Sequence, residues 1–379
     1  MPPGPHLQFT GRERGGYVGG WLSLSLPSSQ VRSFMSRSLA PDFPAGEEEF
    51  NRLALALFAF QREAVPIYRE LCQRRKAGPD SIRDWREIPP VPTGAWKEFE
   101  VSSIPAGERT RVFHSSGTTG QAPSRHFHNA ESLAIYEASA LPWFRRHFFG
   151  PRPAPMKFIF LTPETAPHSS LVQMFATVRL HLGAPDSVFT GRLDADGSWG
   201  LDVEGTLAAV REAVGENTPI GLLGTAFSFV LLLDHLQSAG KRFALPGGSR
   251  VMETGGYKGR TRALTKAQLR RMLAAFLGVP PAQVLAEYGM SELSSQAYDD
   301  AGGVFHFPPW ARASVVSPET GAESGEGETG LLRVFDLANI GSVLAVQTED
   351  LAARRGDGFE LLGRAASAEP RGCSLLPGP

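Results

Sequence analysis

The chain has 379 residues, of which 42% are hydrophobic, and its 38 basic and 39 acidic residues leave a formal net charge of −1. A chain of this length can bury a large core and is expected to divide into two or more packed subdomains. The balanced charge favours neither nucleic acid nor an anionic membrane as a partner. The two cysteines, Cys72 and Cys373, are far apart and lack a CxxC spacing; this argues against a disulfide framework or a zinc site and suits a reducing cytoplasm.

The N-terminal segment is rich in Gly, Pro, Ser and Arg, and we predict a disordered extension over residues 1–34. Its apolar patch at residues 21–24 is too short for a signal peptide, and Met35 is a candidate start of translation. The longest apolar stretch, residues 220–233, falls short of the roughly 20 residues that a membrane-spanning helix needs. We interpret it as a buried helix, so no membrane span is expected.

The next elements follow from periodicity. Helical spacing predicts a core helix over residues 47–74, and the proline-rich segment 88–93 predicts an extended connection. Asn129 is expected to cap a helix that runs to Phe144. Strands and helices then alternate, which predicts an α/β fold with mixed or parallel sheets. The strands are expected at residues 157–161 and 187–189, and the helices at 207–214, 227–238 and 265–277.

The last eighty residues change character, because short strand patterns there are separated by Gly, Glu and Asp turns. They predict a small β subdomain, with an exposed hairpin turn at residues 319–328. The expected organisation is therefore an α/β core over 35–300 and a small β subdomain with a C-terminal tail over 301–379. The strand patterns lie at 305–307, 314–316, 330–335, 342–346 and 359–362.

A turn dense in Ser, Thr and Gly follows the apolar residues Val112 and Phe113 and runs to Ser124. Glycines let the main chain approach phosphate oxygens, while backbone N–H groups and hydroxyls donate hydrogen bonds to them. The spacing is not that of a Walker loop, since no lysine lies inside the turn. Taken alone, such a turn is more often an ordinary surface loop than a phosphate site.

Two later segments carry polar and charged groups that could bind the rest of a nucleotide. Residues 285–296 place Tyr288, Ser291 and Glu292 just after an apolar stretch, where a strand end would present a ring, a hydroxyl and a carboxylate to one cleft. Residues 347–351 contain Asp350 and are followed by Arg364. An acid suits a ribose diol and a permanent cation suits a phosphate.

In this order, the three segments resemble those of the adenylate-forming enzymes, and the match is most similar to the LuxE-type acyl-protein synthetases, the fatty-acid-activating component of the bacterial luminescence fatty acid reductase. The segment Gly255-Gly256-Tyr257-Lys258 and the closing Arg371-Gly372-Cys373-Ser374-Leu375 also resemble that family. The resemblance runs from about residue 50 to 375 and implies the large domain of an adenylate-forming enzyme. Only fifteen residues follow Arg364, so the mobile C-terminal domain with its catalytic lysine is expected to be absent.

The resemblance implies that MgATP activates a carboxylic acid, expected to be a fatty acid, as an acyl adenylate with release of pyrophosphate. Glu292 would hold Mg2+, Asp350 would accept hydrogen bonds from the ribose, and Arg364 would contact the ribose or the α-phosphate. Tyr288 would lie beside the adenine, or serve only as core packing. The β- and γ-phosphates would be bound by Ser115, Ser116, Gly117, Thr118, Thr119 and Gly120, a segment that could instead cap the following helix. The rest of the nucleotide site would be formed by Gly255, Gly256, Gly289 and Ser291.

The resemblance also implies two catalytic candidates. Cys373 would carry the acyl group before it passes to an acyl-accepting reductase or carrier protein, because a thiolate on a C-terminal tail can reach the acyl adenylate. A cysteine so near a chain end could also be inert. Lys258 is a candidate replacement for the missing lysine, although a lysine in a Gly-rich loop is usually only solvated.

The acyl acceptor, catalytic turnover itself and the role of one apolar segment remain open. The acyl group could pass to coenzyme A or a carrier-protein phosphopantetheine, as in the related phenylacetate ligases, or the chain could be a nucleotide-binding scaffold without turnover. The apolar residues Leu222, Leu223, Phe227, Phe229 and Val230 could line an acyl tunnel, or simply pack the core.

Overall fold

The structure is a computed structural model that describes residues 25–40, 43, 46–115, 122–150, 155–194, 198–255, 264–300 and 302–365. Its α-helices within these ranges are α1 (Ser25–Arg37), α2 (Glu47–Ala64), α3 (Pro66–Arg74), α4 (Ala95–Glu98), α5 (Ala130–Phe149), α6 (Ser170–Leu182), α7 (Val203–Gly215), α8 (Ala226–Ser238) and α9 (Lys266–Leu277).

Its strands are β1 (Val91–Pro92), β2 (Arg111–His114), β3 (Arg125–His128), β4 (Lys157–Phe160), β5 (Val188–Phe189), β6 (Gly191–Leu193), β7 (Trp199–Leu201), β8 (Ile220–Thr225), β9 (Arg250–Thr254), β10 (Val284–Tyr288), β11 (Ala297–Asp299), β12 (Val304–His306), β13 (Ala311–Val316), β14 (Thr329–Asp336), β15 (Ala345–Arg355) and β16 (Gly358–Arg364).

Helix α1 corrects part of the N-terminal prediction. Residues 25–34, expected within a disordered extension, lie in this helix, and Val31 and Phe34 are fully buried. Burial of these apolar side chains offsets the entropy of ordering the segment. The prediction failed because the composition of this segment, which is rich in Ser and Pro, does not show that Val31 and Phe34 are buried against the rest of the protein.

The helix predicted over residues 47–74 is two helices. Val65 has an extended backbone (φ −108°, ψ 104°), and Pro66 begins α3 at a position where its missing N–H costs nothing. Cys72 is buried, as predicted for a small core residue, and burial raises the pKa of its thiol to about 11. The expected cap of α5 is confirmed, since the Asn129 side chain accepts from the Ser132 N–H at 2.9 Å.

The apolar stretch at 220–233 is not one helix. It forms the buried strand β8 and then turns into α8, whose start is capped by the Thr225 side chain. Gly221 and Gly224 lie in β8 where a Cβ would collide with Phe158 and Leu161 of the neighbouring β4 segment. A short apolar run bounded by a cap is therefore a strand here, which periodicity alone does not distinguish from a buried helix.

The fold is mixed α/β, as predicted, and is built on one twelve-stranded sheet. Strands β5, β4, β8, β9 and β10 are parallel neighbours in that order. The predicted C-terminal strands are present as β12 to β16, but they continue the same sheet through antiparallel pairing, in the order β10-β11-β12-β16-β15-β14-β13. Of the parallel strands, β10 is the one that pairs with the antiparallel part of the sheet. The carboxyl ends of the parallel strands lie at one edge of the sheet, where α/β proteins commonly bind ligands.

Helices cover both faces of the parallel strands. Leu223 and Met252 belong to a core that also holds residues of α2, α5 and α6, whereas Leu222 and Val251 pack with α7, α8 and α9. Consecutive strand residues face opposite sides, so this alternation is what a sheet buried on both faces requires. Leu222, Leu223, Phe229 and Val230 are fully buried core residues.

Candidate active site

A hairpin and a loop form the first part of the site. Strands β2 and β3 pair antiparallel, and the Ser/Gly-rich turn connects them. The Ser115 N–H donates to Ser124 Oγ at 3.2 Å, and the Ser124 N–H donates to Ser115 Oγ at 3.0 Å. These reciprocal bonds close the neck of the turn. Of the residues predicted to bind phosphate, Ser115 lies at this neck, and residues 116–120 lie outside the described ranges.

The hairpin is tied to the loop that follows β10. Ser124 Oγ lies 3.2 Å from Ser291 Oγ, and His126 Nδ1 donates to the Ser291 carbonyl at 2.7 Å. Burial lowers the pKa of His126 to about 4, so its ring is neutral at pH 7 and needs no counter-charge. Asn339 Nδ2 donates to the Glu292 carbonyl at 2.8 Å and fixes the loop from the other side.

Glu292 is a buried carboxylate at the junction of the hairpin and the loop, with 5% of the residue exposed. Ser291 Oγ donates to its Oε2 at 3.1 Å. Burial raises the pKa of Glu292, while hydrogen bonds from the hydroxyls of Ser124 and Ser291 and the charge of Arg364 act in the opposite direction. A cation bound here would stabilise the ionised form.

The carboxylate fits Mg2+ as a single protein ligand. Among the residues that the structure describes, no three His, Cys, Asp or Glu side chains are grouped so that they could hold a metal ion. Mg2+ in phosphoryl-transfer sites is commonly held by one or two carboxylates, with phosphate oxygens and waters as the other ligands. Glu292 therefore suits a metal that arrives with a nucleotide.

The second part of the site is a cluster of Tyr288, Asp350 and Arg364. The Tyr288 hydroxyl donates to Asp350 Oδ2 at 2.7 Å, and Arg364 Nε lies 3.5 Å from Asp350 Oδ1. Strands β15 and β16 pair Asp350 directly with Arg364. The acid and the cation thus form an ion pair, and the Arg364 side chain remains 68% exposed. The electrostatic attraction holds a carboxylate and a guanidinium at one side of the cleft.

Tyr288 also packs in the core, which was the alternative to a place beside the adenine. Its ring meets the Phe359 ring edge to face, with centroids 5.5 Å apart, and only 7% of the residue is exposed. Its hydroxyl is satisfied by Asp350, as a buried tyrosine requires. The structure therefore makes Tyr288 a buried support for Asp350.

Gly255 has a backbone reason to be glycine, and Gly289 packs against a side chain. Gly255 follows β9 with φ +72°, a conformation that other residues rarely adopt. A Cβ on Gly289 would collide with Glu287 Oε1. Both lie where parallel strands end, consistent with a close approach of backbone to a ligand. Gly256 and Lys258 lie outside the described ranges, as does Cys373.

Two buried groups at this edge were missed from sequence. Thr254 donates a hydrogen bond to Glu287, whose pKa burial raises to about 7. The second group is His126, which was missed because its hydrogen bond to the Ser291 carbonyl forms only in the folded protein. The available signals were an acid inside the apolar strand β10 and the alternating Arg-His-Phe-His of β3.

In the ranges that the structure covers, there is no helix long and apolar enough to cross a membrane.

Comparison with known proteins was made at the level of family, sequence and structure. Residues 29–376 match the family described as "Acyl-protein synthetase, LuxE". Two proteins named long-chain-fatty-acid–luciferin-component ligase are similar to the chain. The one from Vibrio harveyi is 22% identical over 335 residues, covering 86% of each chain. The one from Aliivibrio fischeri is 24% identical over 356 residues, covering 90% of this chain and 91% of the relative.

Among solved structures, 2-hydroxyisobutyryl-CoA ligase in complex with 2-HIB-AMP matches with a TM-score of 0.61 and 14% identity, over 84% of this chain and 68% of the ligase. The chain spans about half the length of two other solved proteins that it matches, covering 49% and 50% of them. At 14% identity, the likeness to 2-hydroxyisobutyryl-CoA ligase shows a shared fold.

Proposed function

The chain belongs to the LuxE acyl-protein synthetase family and is a ligase, and from this premise we propose that it activates a carboxylic acid with MgATP and transfers the acyl group to a thiol. The observation that carries the proposal is the meeting of two clusters at one sheet edge. Tyr288 links β10 to the Asp350–Arg364 pair, and the loop after Tyr288 carries Glu292. One edge thus offers an acceptor for a diol, a cation for a phosphate and a buried metal ligand.

In the first step, an oxygen of the substrate carboxylate attacks the α-phosphorus of ATP. The bond from the α-phosphorus to the oxygen bridging the α- and β-phosphates breaks, pyrophosphate leaves, and the acyl adenylate forms. Such a transfer depends mainly on positioning and on neutralising charge. Asp350 would accept from the ribose hydroxyls, and Arg364, which is exposed beside it, would contact the ribose or the α-phosphate.

The phosphates would lie in the turn of the β2–β3 hairpin, where residues 116–120 would supply N–H groups and hydroxyls. Ser115, whose N–H already donates to Ser124 Oγ, would supply its hydroxyl. Mg2+, when bound, neutralises phosphate charge and stabilises the leaving pyrophosphate. Glu292 would hold it, and the hydroxyl groups of Ser124 and Ser291 orient that carboxylate. The glycines Gly255, Gly256 and Gly289 would allow the adenine to approach the strand ends.

In the second step, the Cys373 thiolate attacks the acyl carbonyl carbon, the bond from that carbon to the AMP oxygen breaks, and AMP leaves. The thiol proton is released to solvent. The acyl group would then pass to a protein acceptor, a reductase or a carrier protein. A free thiol must stay reduced to act, so the proposed setting is a reducing cytoplasm. Lys258 is a further proposed catalytic cation.

The proposed substrate is a fatty acid. The names of the Vibrio harveyi and Aliivibrio fischeri relatives specify a long-chain fatty acid, and the family description specifies an acyl-protein product. These descriptions concern the relatives, and together they support a long-chain acid as the first substrate to test.

The test is covalent labelling. The purified full-length chain is incubated with MgATP and radiolabelled acids that range from aryl to long-chain fatty acids, with no coenzyme A, and is then analysed on a denaturing gel. We expect label on the wild type with a long-chain acid and none on Cys373→Ser. Cys72→Ala is the matched control, because Cys72 is buried and its thiol pKa is about 11, and it should retain the label.

Three other results would each change the account. Label that persists in Cys373→Ser would move the acceptor elsewhere on the chain. Pyrophosphate release without label, with product formed only when coenzyme A is added, would favour a coenzyme A ligase. The absence of pyrophosphate release with every acid would leave a nucleotide-binding scaffold.

A further inference from the structure

A second concave site lies apart from the adenylation site. It is a groove of about 550 Å3 formed between the end of α3, the segment that leads to β1, and strand β14. Its lining residues include none of the described site residues. We call it the basic groove, because four of its lining residues are cations: Arg75, Lys76, Arg86 and Arg333.

The charges in the basic groove are not balanced. Its one acidic lining residue is Glu87, whose carboxylate already accepts from the backbone N–H groups of Arg83 at 2.8 Å and Asp84 at 3.2 Å. Arg86 is paired with Asp84 at 3.1 Å. In the described part of the chain, Arg75, Lys76 and Arg333 form no ion pair with any carboxylate. Three cations thus face one groove without a counter-charge.

Arg333 is positioned by the fold. Its Nε donates to Gln347 Oε1 at 3.0 Å, and the two residues are direct partners across β14 and β15. Burial lowers the pKa of Arg333, and the nearby charge of Arg75 lowers it further. A half-buried guanidinium that is fixed at one nitrogen and repelled by a second guanidinium is stabilised by an anion.

Lys76 occupies an unusual backbone position. It has φ 53° and lies two residues beyond the end of α3, and the N–H of the next residue, Ala77, donates back to the Cys72 carbonyl at 2.8 Å. Glycine or asparagine usually takes this left-handed position after a helix end, because other side chains are strained there. The lysine therefore adds positive charge at a site where backbone conformation alone favours a smaller residue.

The rest of the lining of the basic groove is partly apolar, and its apolar residues are mostly buried, so they expose only a small area to the groove. Ile82, Ile88, Pro89 and Pro90 contribute to it, and its volume is in the range of small-molecule sites, roughly 300–1,000 Å3. A guanidinium pair and an ammonium match the oxygens of a phosphate group, while an apolar surface suits a carbon skeleton. We propose that the basic groove binds a phosphorylated small molecule whose phosphate contacts Arg75, Lys76 and Arg333 and whose carbon portion packs on the apolar lining.

The basic groove is distinct from the proposed nucleotide site, although strand β15 contributes residues near both. Gln347, which fixes Arg333, lies three residues before Asp350 on β15. The proposal does not depend on the adenylation chemistry, and its test uses binding alone.

The experiment is isothermal titration of the full-length protein with hexyl phosphate, inorganic phosphate and hexanol, with and without saturating MgATP. We expect hexyl phosphate to bind more tightly than either other probe, and MgATP to leave that binding in place. Arg333→Gln and Arg75→Gln should each weaken it about tenfold or more, since a charge-assisted hydrogen bond contributes about 1.5–3 kcal/mol.

Arg211→Gln is the matched control, because Arg211 is an exposed arginine of α7 that pairs with Glu204 at 3.4 Å. It should bind hexyl phosphate as the wild type does. If Arg333→Gln does not fold, as judged by its thermal melt, Arg75→Gln and Lys76→Gln decide the question. The proposal is overturned if hexyl phosphate does not bind, if the groove variants bind it as the control does, or if MgATP abolishes its binding.

Discussion

At the scale of single residues, the account depends most on Glu292. Its carboxylate is buried and accepts from Ser291 Oγ at 3.1 Å. Glutamine has nearly the same shape and can still accept from the hydroxyls, so Glu292→Gln removes charge with little change in packing. Loss of the residue's charge should therefore affect metal use far more than folding.

The first prediction is that Glu292→Gln lowers acid-dependent pyrophosphate release about 100-fold and raises the Mg2+ concentration needed for half-maximal rate. Removal of one preorganised electrostatic contact typically costs this much. The measurement is a Mg2+ titration of the release rate. Glu319→Gln, in the exposed turn between β13 and β14, is the control. An unchanged Mg2+ titration would remove Glu292 from the metal site.

The second prediction concerns Glu287. Burial raises its folded-state pKa to about 7 from an ordinary value of 4.5. Below about pH 4.5, Glu287 is protonated in both the folded and the unfolded protein, and its contribution to the free energy of unfolding is fully present. As the pH rises towards 7, the unfolded protein loses this proton more readily than the folded protein does. The contribution is therefore lost as the pH rises through the folded-state pKa. Relative to Glu287→Gln, the wild type should therefore lose on the order of 3 kcal/mol of unfolding free energy between about pH 4.5 and 8.

Urea unfolding of both proteins across this pH range measures that difference. Because the comparison is with an uncharged isostere at the same position, contributions from other titrating groups cancel. If the unfolding free energies of the two proteins change in parallel with pH, the pKa of Glu287 in the folded protein is not raised and the prediction is wrong.

The sequence predicted residue types better than residue partners. Tyr288, Glu292, Asp350 and Arg364 could be proposed as site residues because a ring, two acids and a cation occur in a recognisable order, and the structure brings three of them, Tyr288, Asp350 and Arg364, into contact. His126 could not, because its partner Ser291 is 165 positions away and the hydrogen bond exists only after folding.

At the scale of elements, the β2–β3 hairpin is held against the loop after β10. The contacts are the Ser124–Ser291 hydroxyl pair and the His126 bond to the Ser291 carbonyl. They fix where the neck of the Ser/Gly-rich turn, at Ser115 and Ser124, lies relative to Glu292. If the turn binds phosphate as proposed, the hairpin should influence nucleotide binding without touching the reacting atoms.

The third prediction is that His126→Leu raises the KM for ATP about tenfold with a smaller change in kcat. It removes the donor and leaves a buried carbonyl unsatisfied, which costs roughly 1–3 kcal/mol. His126→Gln, which retains a donor, should recover part of the loss. His181→Gln, at an exposed position in the last turn of α6, should behave as wild type. Equal kinetics for the leucine and glutamine variants would show that the hydrogen bond does not position the turn.

Element boundaries show why sequence patterns were incomplete. The capped helix α5 was predicted because its signal is local, whereas the stretch at 220–233 became a strand and a helix because of contacts with β4 that the local pattern does not contain. Helix α1 was missed for the same reason, since burial of Phe34 depends on residues distant in sequence.

At the scale of the whole molecule, one sheet joins the parts of the site. Tyr288 ends a parallel strand, whereas Asp350 and Arg364 lie on antiparallel strands of the predicted β subdomain. The strand order could not be read from the sequence, because pairings such as β12 with β16 join segments separated by many turns. A nucleotide that contacts both parts should therefore stabilise the molecule as a unit.

The fourth prediction is that MgATP at about 100 times its dissociation constant stabilises the fold by about 2.7 kcal/mol and raises the melting temperature by a few degrees. Asp350→Asn should reduce the shift, and Asp357→Asn, whose side chain is 93% exposed in the turn between β15 and β16, should not. A full shift in Asp350→Asn would place the nucleotide elsewhere.

The measurement that tests the central claim most directly is exchange of labelled pyrophosphate into ATP. It reports formation of the acyl adenylate alone, before any thiol is needed. The account predicts exchange that requires both Mg2+ and a long-chain fatty acid, persists in Cys373→Ser, and is lost in Asp350→Ala. The absence of exchange with every acid tested, or exchange that survives in Asp350→Ala, would contradict it.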